Sequence, residues 1–448
     1  MRQFRLGIAA AAAALLGGCA LYHPLPLAQG PDLTKQLSAL RTQIPAAGPG
    51  EPARRIATDR PLDIDDVGLL AVLNDPQLRS ERGQVDVAQA GLLQSSLLPN
   101  PVASVSYGAL LGGGDGVTPA WSASLTEDVK SILTYHTREK SARLQLRQVN
   151  ADLLWQEWQI AQKARLLALD LYYGRQSLDL GRRELALLDH EVAEVQAATR
   201  AGNLDLSALA PLLTAKATAE QTVATLGITE LQNWQALDAL LGLDPQVRFP
   251  IAAPALPPLP TDLAPLLADL PDRRPDLVAL RLGYRSADED VRTAIIGQFP
   301  AFALGGQWAQ DNTNVRSGGP TATFDLPVFD RNQGEVAQAS ATRLLLHEQY
   351  QSRLDDAFGT VRGLQSQIRR LTDDVRSASI AAASAEKMSQ AAQRAYAQGN
   401  MDQRSLSDFE TTGMDRRIEA LALERSLGET QITLTVELGL GLPRARMR

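Results

Sequence analysis

The chain repeats itself. Asp75-Pro76-Gln77-Leu78 has a counterpart in Arg274-Pro275-Asp276-Leu277, a shift of 199 residues. The same shift carries Pro101 onto Pro300, Ser122-Ala123-Ser124 onto Thr321-Ala322-Thr323, and Val129 onto Val328. Further along, Gly202-Asn203-Leu204-Asp205 matches Gly399-Asn400-Met401-Asp402, and Leu241-Gly242-Leu243 matches Leu438-Gly439-Leu440, both shifted by 197. A near-constant offset over landmarks so far apart means that one architectural unit is built twice. The halves run over 61–245 and 265–442. Between them, residues 246–264 include the Pro-rich stretch Pro250 to Pro260, which cannot continue a helix. A segment at 19–60 precedes the first half and a short tail, 443–448, follows the second.

Each half reads helix, two strands, helix, helix. From Thr134 to Ala201 there is no proline, and Ala, Leu, Gln, Glu and Arg dominate. Unbroken, such a run makes on the order of 100 Å of helix. Its copy, Asn332 to Gln398, places Leu354, Phe358, Val361, Leu364, Ile368, Leu371, Val375, Ala378, Ala382 and Ala385 three and four apart, a narrow coiled-coil-like seam. Helices this long pack side by side. Gly202-Asn203 and Gly399-Asn400 stand at their far ends as cap and turn, and shorter helices return over about 204–242 and 401–439. The two helical hairpins therefore span 134–242 and 332–439. Pro211 should kink or delay the first returning helix; the second has no such proline.

Between the helices lie stretches of period 2, in hairpins at 102–128 and 301–329. Trp121, Ala123 and Leu125 alternate with Ser122, Ser124 and Thr126; Ala103, Val105 and Tyr107 alternate with Ser104, Ser106 and Gly108. The second copy sets Ala322, Phe324 and Leu326 against Thr321, Thr323 and Asp325, and Phe302, Leu304 and Trp308 against Ala301, Ala303 and Gln307. Strands of about nine to eleven residues with one oily and one polar face suit a tilted bilayer crossing. Leu111 to Gly116 and Gln310 to Gly319 are expected to be the hairpin loops. Tyr107, Trp121 and Trp308 fall toward them, where an interfacial aromatic girdle belongs. Pro99, Pro101, Pro300 and Pro327 suit the helix-to-strand joints, and Gly334 is expected to ease the entry into the second long helix. Four strands cannot close a barrel, and an open edge in hydrocarbon leaves backbone groups unpaired at several kcal/mol each. Closure requires further copies of the chain: two, three or four would give about 8, 12 or 16 strands, all acceptable for a membrane barrel.

The N-terminus is an address. Arg2 and Arg5 precede an apolar run from Leu6 to Leu16, too short to cross a bilayer as a mature helix. Leu16-Gly17-Gly18-Cys19 follows, containing the chain's single cysteine. This resembles a lipobox, so residues 1–18 are expected to be removed and Cys19 acylated. Ala20 lacks the Asp associated with inner-membrane retention, which favours the outer membrane.

Composition closes other routes. One cysteine excludes a disulfide framework or a Cys-rich metal site, and His23, His136, His190 and His347 are too scattered for a His-based metal cluster. A net charge of −7 argues against nucleic-acid binding. No phosphate loop, nucleophile elbow or zinc-protease motif occurs, so catalysis, cofactor and metal are not expected; the covalent lipid is the one added group.

With Asn74-Asp75-Pro76-Gln77-Leu78 leading to Leu97-Leu98-Pro99-Asn100-Pro101, and with the run from Asp325 to Glu335, the chain resembles the TolC-like outer-membrane efflux proteins, in particular the lipoprotein branch that includes heavy-metal efflux channels. The resemblance implies an α+β membrane protein: a homotrimer whose four strands per chain make a transmembrane β-barrel, continued by long antiparallel helical hairpins as an α-barrel in the periplasm. It implies a periplasmic adaptor protein and an inner-membrane pump as partners. It places a gate and adaptor contact at the hairpin tips, around Arg200, Gly202, Asn203 and Asp205 and around Gly399, Asn400 and Asp402. Threefold repetition would turn Asp205 and Asp402 into carboxylate rings favouring cations, while each Asp also suits the N-cap of a returning helix. Both stand three residues after the turn glycine, where the family more often has a small hydroxyl residue. Two other functions share parts of this architecture: the duct of a type I protein secretion system, and a non-conducting periplasmic scaffold, for which the alternating strands would have no use.

Overall fold

The computed structural model describes residues 22–44, 54–114, 116–256, 259–260 and 262–440. The expected signal segment and Cys19 lie outside the described residues, as does the tail at 443–448. Residues 22–33 carry no helix or strand and belong to a separate unit that ends at Leu33.

From Thr34 onward the chain is one unit. The first repeat comprises α1 (Ile64–Asn74), α2 (Pro76–Ser95), β1 (Val102–Gly108), β2 (Ala120–Asp128), α3 (Val129–Arg200) and α4 (Leu209–Leu241). The second comprises α5 (Ala264–Ala268), α6 (Leu270–Arg273), α7 (Pro275–Ile296), β3 (Phe302–Gln310), β4 (Arg316–Phe324), α8 (Gln333–Ala397) and α9 (Gln403–Glu437). The single leading helix expected in each half is therefore broken. The break falls at the landmarks Asp75-Pro76 and Arg274-Pro275, because proline supplies no N–H to the preceding turn and suits the first position of a new helix.

The helices fit together by length. α3 has 72 residues and α4 only 33. The remaining length of α3 is accompanied by α2, whose Pro76 lies 3.6 Å from where a Cβ on Gly242, just past the end of α4, would stand. Gly439, past α9, meets Arg273 before α7 in the same way. Each repeat is thus one continuous long helix alongside a two-piece partner. All four glycines that end these helices (Gly202, Gly242, Gly399 and Gly439) have positive φ, and each terminus closes with the paired bonds of a Schellman cap, as in Asn203 N–H to Ala198 O and Gly202 N–H to Thr199 O.

The main core sits where α1, α3 and the end of α4 meet. Leu62, Val67, Leu70, Ala168, Leu169, Leu237 and Leu241 are fully or almost fully buried there. The segment before α1 and the one after α4 join this core: Leu62 bridges Ile251, Thr34 bridges Leu243, and Phe249 packs edge-on against Trp234 at 5.1 Å. A second core gathers Leu263, Leu270, Leu277, Val361, Leu434 and Leu438. α7 lies against α3 through small and hydroxyl residues, with Ser141 and Ser286 hydroxyls 2.9 Å apart and Gly283 leaving room for Gln148.

Pro211 falls in the first turn of α4, where its missing N–H is not needed. The 3₁₀ turn Leu206–Ala208 precedes it, so the proline delays the returning helix without kinking it. The join into α8 differs from expectation: Asn332, not Gly334, takes the left-handed conformation, at φ 60°. Its amide donates to Ala294 O, tying the join to α7. Asparagine tolerates this region better than other non-glycine residues.

Candidate functional site: a two-faced sheet and two hairpin tips

The four strands form one antiparallel sheet in the order β1-β2-β3-β4. Directly paired residues point to the same side, so the register decides what each face carries. Tyr107 pairs with Trp121, Val105 with Ala123 and Ala103 with Leu125; across the repeat boundary Ala123 pairs with Trp308 and Leu125 with Gly306; then Leu304 pairs with Ala322 and Phe302 with Phe324. One largely apolar face thus runs over both repeats, with Gln310 and Arg316 beside Trp121 at the loop end and Glu127 beside Leu304 at the other. Its side chains face solvent in the single chain: Val105 is 80 % exposed, Tyr107 69 % and Phe324 59 %.

The opposite face pairs Ser104 with Ser124, Ser106 with Ser122, Ser124 with Gln307 and Gly305 with Thr321. The Ser106 and Ser122 hydroxyls are 2.8 Å apart. This face is hydroxyl-rich and neutral until Asp128 at the foot of β2. Gly305 sits where the two repeats join, and a Cβ there would stand 2.0 Å from Leu125 O. A one-residue slip would exchange the faces.

The three aromatic residues expected to form a girdle come together. Tyr107 and Trp121 are cross-strand partners, and Trp308 pairs with Ala123, one place further on the same face. The Trp308 indole lies over Gly306 and Gly318. The loop expected over Gln310 to Gly319 is shorter: β4 already begins at Arg316, and it ends at Phe324, leaving Leu326 outside. Pro320 is accommodated because β4 is the sheet's edge.

At the far end stand the tips. Arg200 donates to Gln196 O, and Gly202 and Gly399 both turn the chain at φ 75°. Asp205 accepts the Ser207 N–H at 2.8 Å; Asp402 accepts the Ser405 N–H and its hydroxyl, both at 2.9 Å. These bonds hold both carboxyls below the usual carboxylate range, the backbone donor contributing most. Both are fully exposed. Asp402 is therefore the cap of α9, Asp205 caps the 3₁₀ turn that leads into α4, and each is also an exposed charge at its tip. Asn203 and Asn400 are exposed beside them, Asn400 reaching Gln398 at 3.4 Å.

Two features had no sequence signal, because their members are far apart along the chain. The first is a buried ion cluster at the start of α7. Arg274 grips Asp276 with two hydrogen bonds, at 3.0 and 2.6 Å, and also pairs with Glu437; Arg353 reaches Asp276 at 2.7 Å. Trp155 of α3 lies under both guanidiniums, 4.8 Å from Arg274 and 5.9 Å from Arg353. Burial pushes the Asp276 carboxyl up, but Arg274 and then Arg353 outweigh it and hold it low. The second is a line of carboxyls between α3 and α9.

The comparisons with known proteins follow this geometry. The sequence family described as outer membrane efflux protein matches residues 266–440, the second repeat. Solved structures match over nearly the whole chain. The CmeC outer membrane channel of Campylobacter jejuni is 14 % identical with a TM-score of 0.70, covering 96 % of each chain. The Neisseria gonorrhoeae MtrE outer membrane channel, solved in its open state, is 18 % identical with a TM-score of 0.68, covering 86 % of this chain and 91 % of that one. The fold is that of these outer membrane channels. In sequence, outer membrane protein OprJ of Pseudomonas aeruginosa is 27 % identical over 209 residues, 44 % of this chain and 40 % of OprJ, so the aligned stretch spans less than half the length of that relative. Among the described residues no helix is long and apolar enough to cross a membrane.

Proposed function

We propose that this protein is the outer-membrane channel of a tripartite efflux system. It conducts its cargo passively from periplasm to exterior and is gated at the hairpin tips. The observation that carries the reading is the sheet: an apolar face across its middle with polar residues only towards its ends, a hydroxyl-lined face behind it and two open edges in one chain. The apolar face suits lipid and the hydroxyl face suits water. The open edges are satisfied in hydrocarbon only by the edges of further copies. Three chains make a twelve-stranded barrel, and their helical hairpins continue the conduit. Support comes from the likeness to outer membrane channels along nearly the whole chain.

In this reading Cys19 carries the lipid anchor, Tyr107, Trp121 and Trp308 mark the membrane–water boundary, and the tips around Asp205 and Asp402 form the constriction. A periplasmic adaptor meets those tips and connects them to an inner-membrane pump. The chain's own work is conduction, with no chemical step. Purified protein reconstituted in planar bilayers tests this: discrete current steps are expected, and a membrane that stays silent at every protein concentration overturns it.

A further inference from the structure

We propose that the contact between α3 and α9 is a proton-operated seam, in which facing carboxyls from the two repeats hold the helices together when protonated and drive them apart when ionised.

The geometry is regular. α3 and α9 run antiparallel. Asp170 lies beside Glu429, Glu184 faces Asp415, and the Ser407 hydroxyl donates to Glu191 at 2.6 Å. Asp170, Glu184 and Glu191 are spaced by 14 and 7 residues, the multiple of seven that keeps side chains on one coiled-coil seam. Acid therefore meets acid across a helix interface, where cross-pairing with bases is the stabilising arrangement.

The cations nearby neutralise only part of it, one guanidinium standing against two carboxyls. Arg425 alone sits between Asp170 and Glu429, its Nε 3.2 Å from Glu429 but 3.8 Å from Asp170, too far for a hydrogen bond. Asp170 Oδ1 and Arg425 Nε are both buried without a hydrogen-bond partner. Arg417 is engaged by Glu424 beside Tyr173, and Arg416 by Glu419. From α4, Lys216 pairs with Asp189; from α1, Asp65 takes Arg165. The two helices approach closely here, since a Cβ on Gly428 would stand 3.0 Å from Leu169, so the carboxyls cannot move away from one another unless the helices separate. A proton is the simplest missing donor: it neutralises one carboxyl of a pair and gives the buried oxygen a hydrogen bond.

Burial, reinforced by the facing Glu429, pushes Asp170 up to about 7; burial and then Asp415 push Glu184 up to about 7. A carboxyl raised in the packed state favours packing fully below its ordinary range near pH 4, and that contribution is lost as pH rises through about 7. The seam is tight in acid and loosened in mild alkali.

The inference deepens the channel reading, because α9 belongs to the second hairpin, whose tip would share in the constriction. Loosening its hold on α3 frees that hairpin to move. The test uses the full chain in lipid nanodiscs, with nitroxide labels on Ala186→Cys and Thr412→Cys, exposed positions on the two helices. The interlabel distance should lengthen between about pH 5 and about pH 9, the separated population rising up to about tenfold per pH unit for each group as it titrates. Asp170→Asn with Glu184→Gln should keep the acid distance throughout. If that variant does not assemble, Asp415→Asn, acting from the other helix, should diminish the change. An unchanged wild-type distance, or a variant responding as fully as wild type, overturns the seam. Parallel current recordings separate the two readings: a distance response without conduction upholds the seam and refutes the channel, and conduction without a distance response does the reverse.

Discussion

The two repeats share an architecture but not a role. α3 of the first repeat packs against α1, α2, α4, α7 and α9, whereas α8, its copy, packs chiefly against α7 and α9 among the described residues. Burial follows: α3 hides Trp158, Leu169, Leu171, Leu178 and Leu188, while α8 hides mostly alanines and leaves Leu344, Leu345 and Ile380 exposed. The helix starts differ as well. Asp75 caps α2 through the Leu78 N–H at 2.8 Å, but the matching residue, Arg274, makes no cap and instead anchors the buried ion cluster. At the tips, the first repeat passes through a 3₁₀ turn and leaves Leu204 and Leu206 exposed, while Asp402 leads straight into α9 and Leu406 is buried. Duplication fixes the layout; single residues at matching positions then decide which copy is the hub.

The sharpest contrast lies at the helix starts. Arg274→Ala leaves Glu437 without its cation and Asp276 with Arg353 alone and should cost about 3–5 kcal/mol, whereas Asp75→Ala removes a cap and should cost about 1 kcal/mol. Chemical denaturation in detergent measures both. Equal costs would mean that the ion cluster does not anchor the second repeat.

Next comes the strand junction. Gly305→Ala places a methyl against Leu125 O between the repeats and should cost about 1–3 kcal/mol with loss of assembled protein. Gly319→Ala, in open space on β4, should change stability by less than about 0.5 kcal/mol. Size-exclusion chromatography and thermal melts separate the two outcomes.

Much of this could be read from the residues, because the signals were local. Alternation in β1 and β2, the Gly-Asn turns and the proline-free helices each depend on neighbours in sequence. The limits of β4 could not be read, since Gly318, Gly319 and Pro320 look like a loop unless one knows that they lie on an edge beneath Trp308. The leading helices looked whole because the break at Asp75-Pro76 falls within a continuous apolar pattern. The ion cluster and the acidic seam were invisible: Arg274 and Glu437 are 163 residues apart, and Glu191 and Ser407 are 216 apart. Nothing local distinguishes Glu184 from a solvated glutamate.

The turns should respond alike in both repeats. Gly202→Ala and Gly399→Ala each force a Cβ into the left-handed region at φ 75° with no other obstruction, so each should cost about 1 kcal/mol. Unequal costs, measured by urea titration, would show that the tips are stabilised differently. The smallest expected effect is electrostatic. Asp205→Asn and Asp402→Asn should each lower cation preference in a salt-gradient reversal-potential measurement. Because hydrogen bonds hold both wild-type carboxyls below their ordinary range, that preference, like their capping contribution, should be present above about pH 4 and fade only as pH falls through the lowered values.

Native mass spectrometry of the protein extracted from membranes, counting chains per particle, bears most directly on how the sheet is completed. Three chains in a particle that also conducts is the outcome expected when β1 of one copy joins β4 of the next. A single chain, soluble without detergent and with its apolar strand face turned inward, would contradict the account.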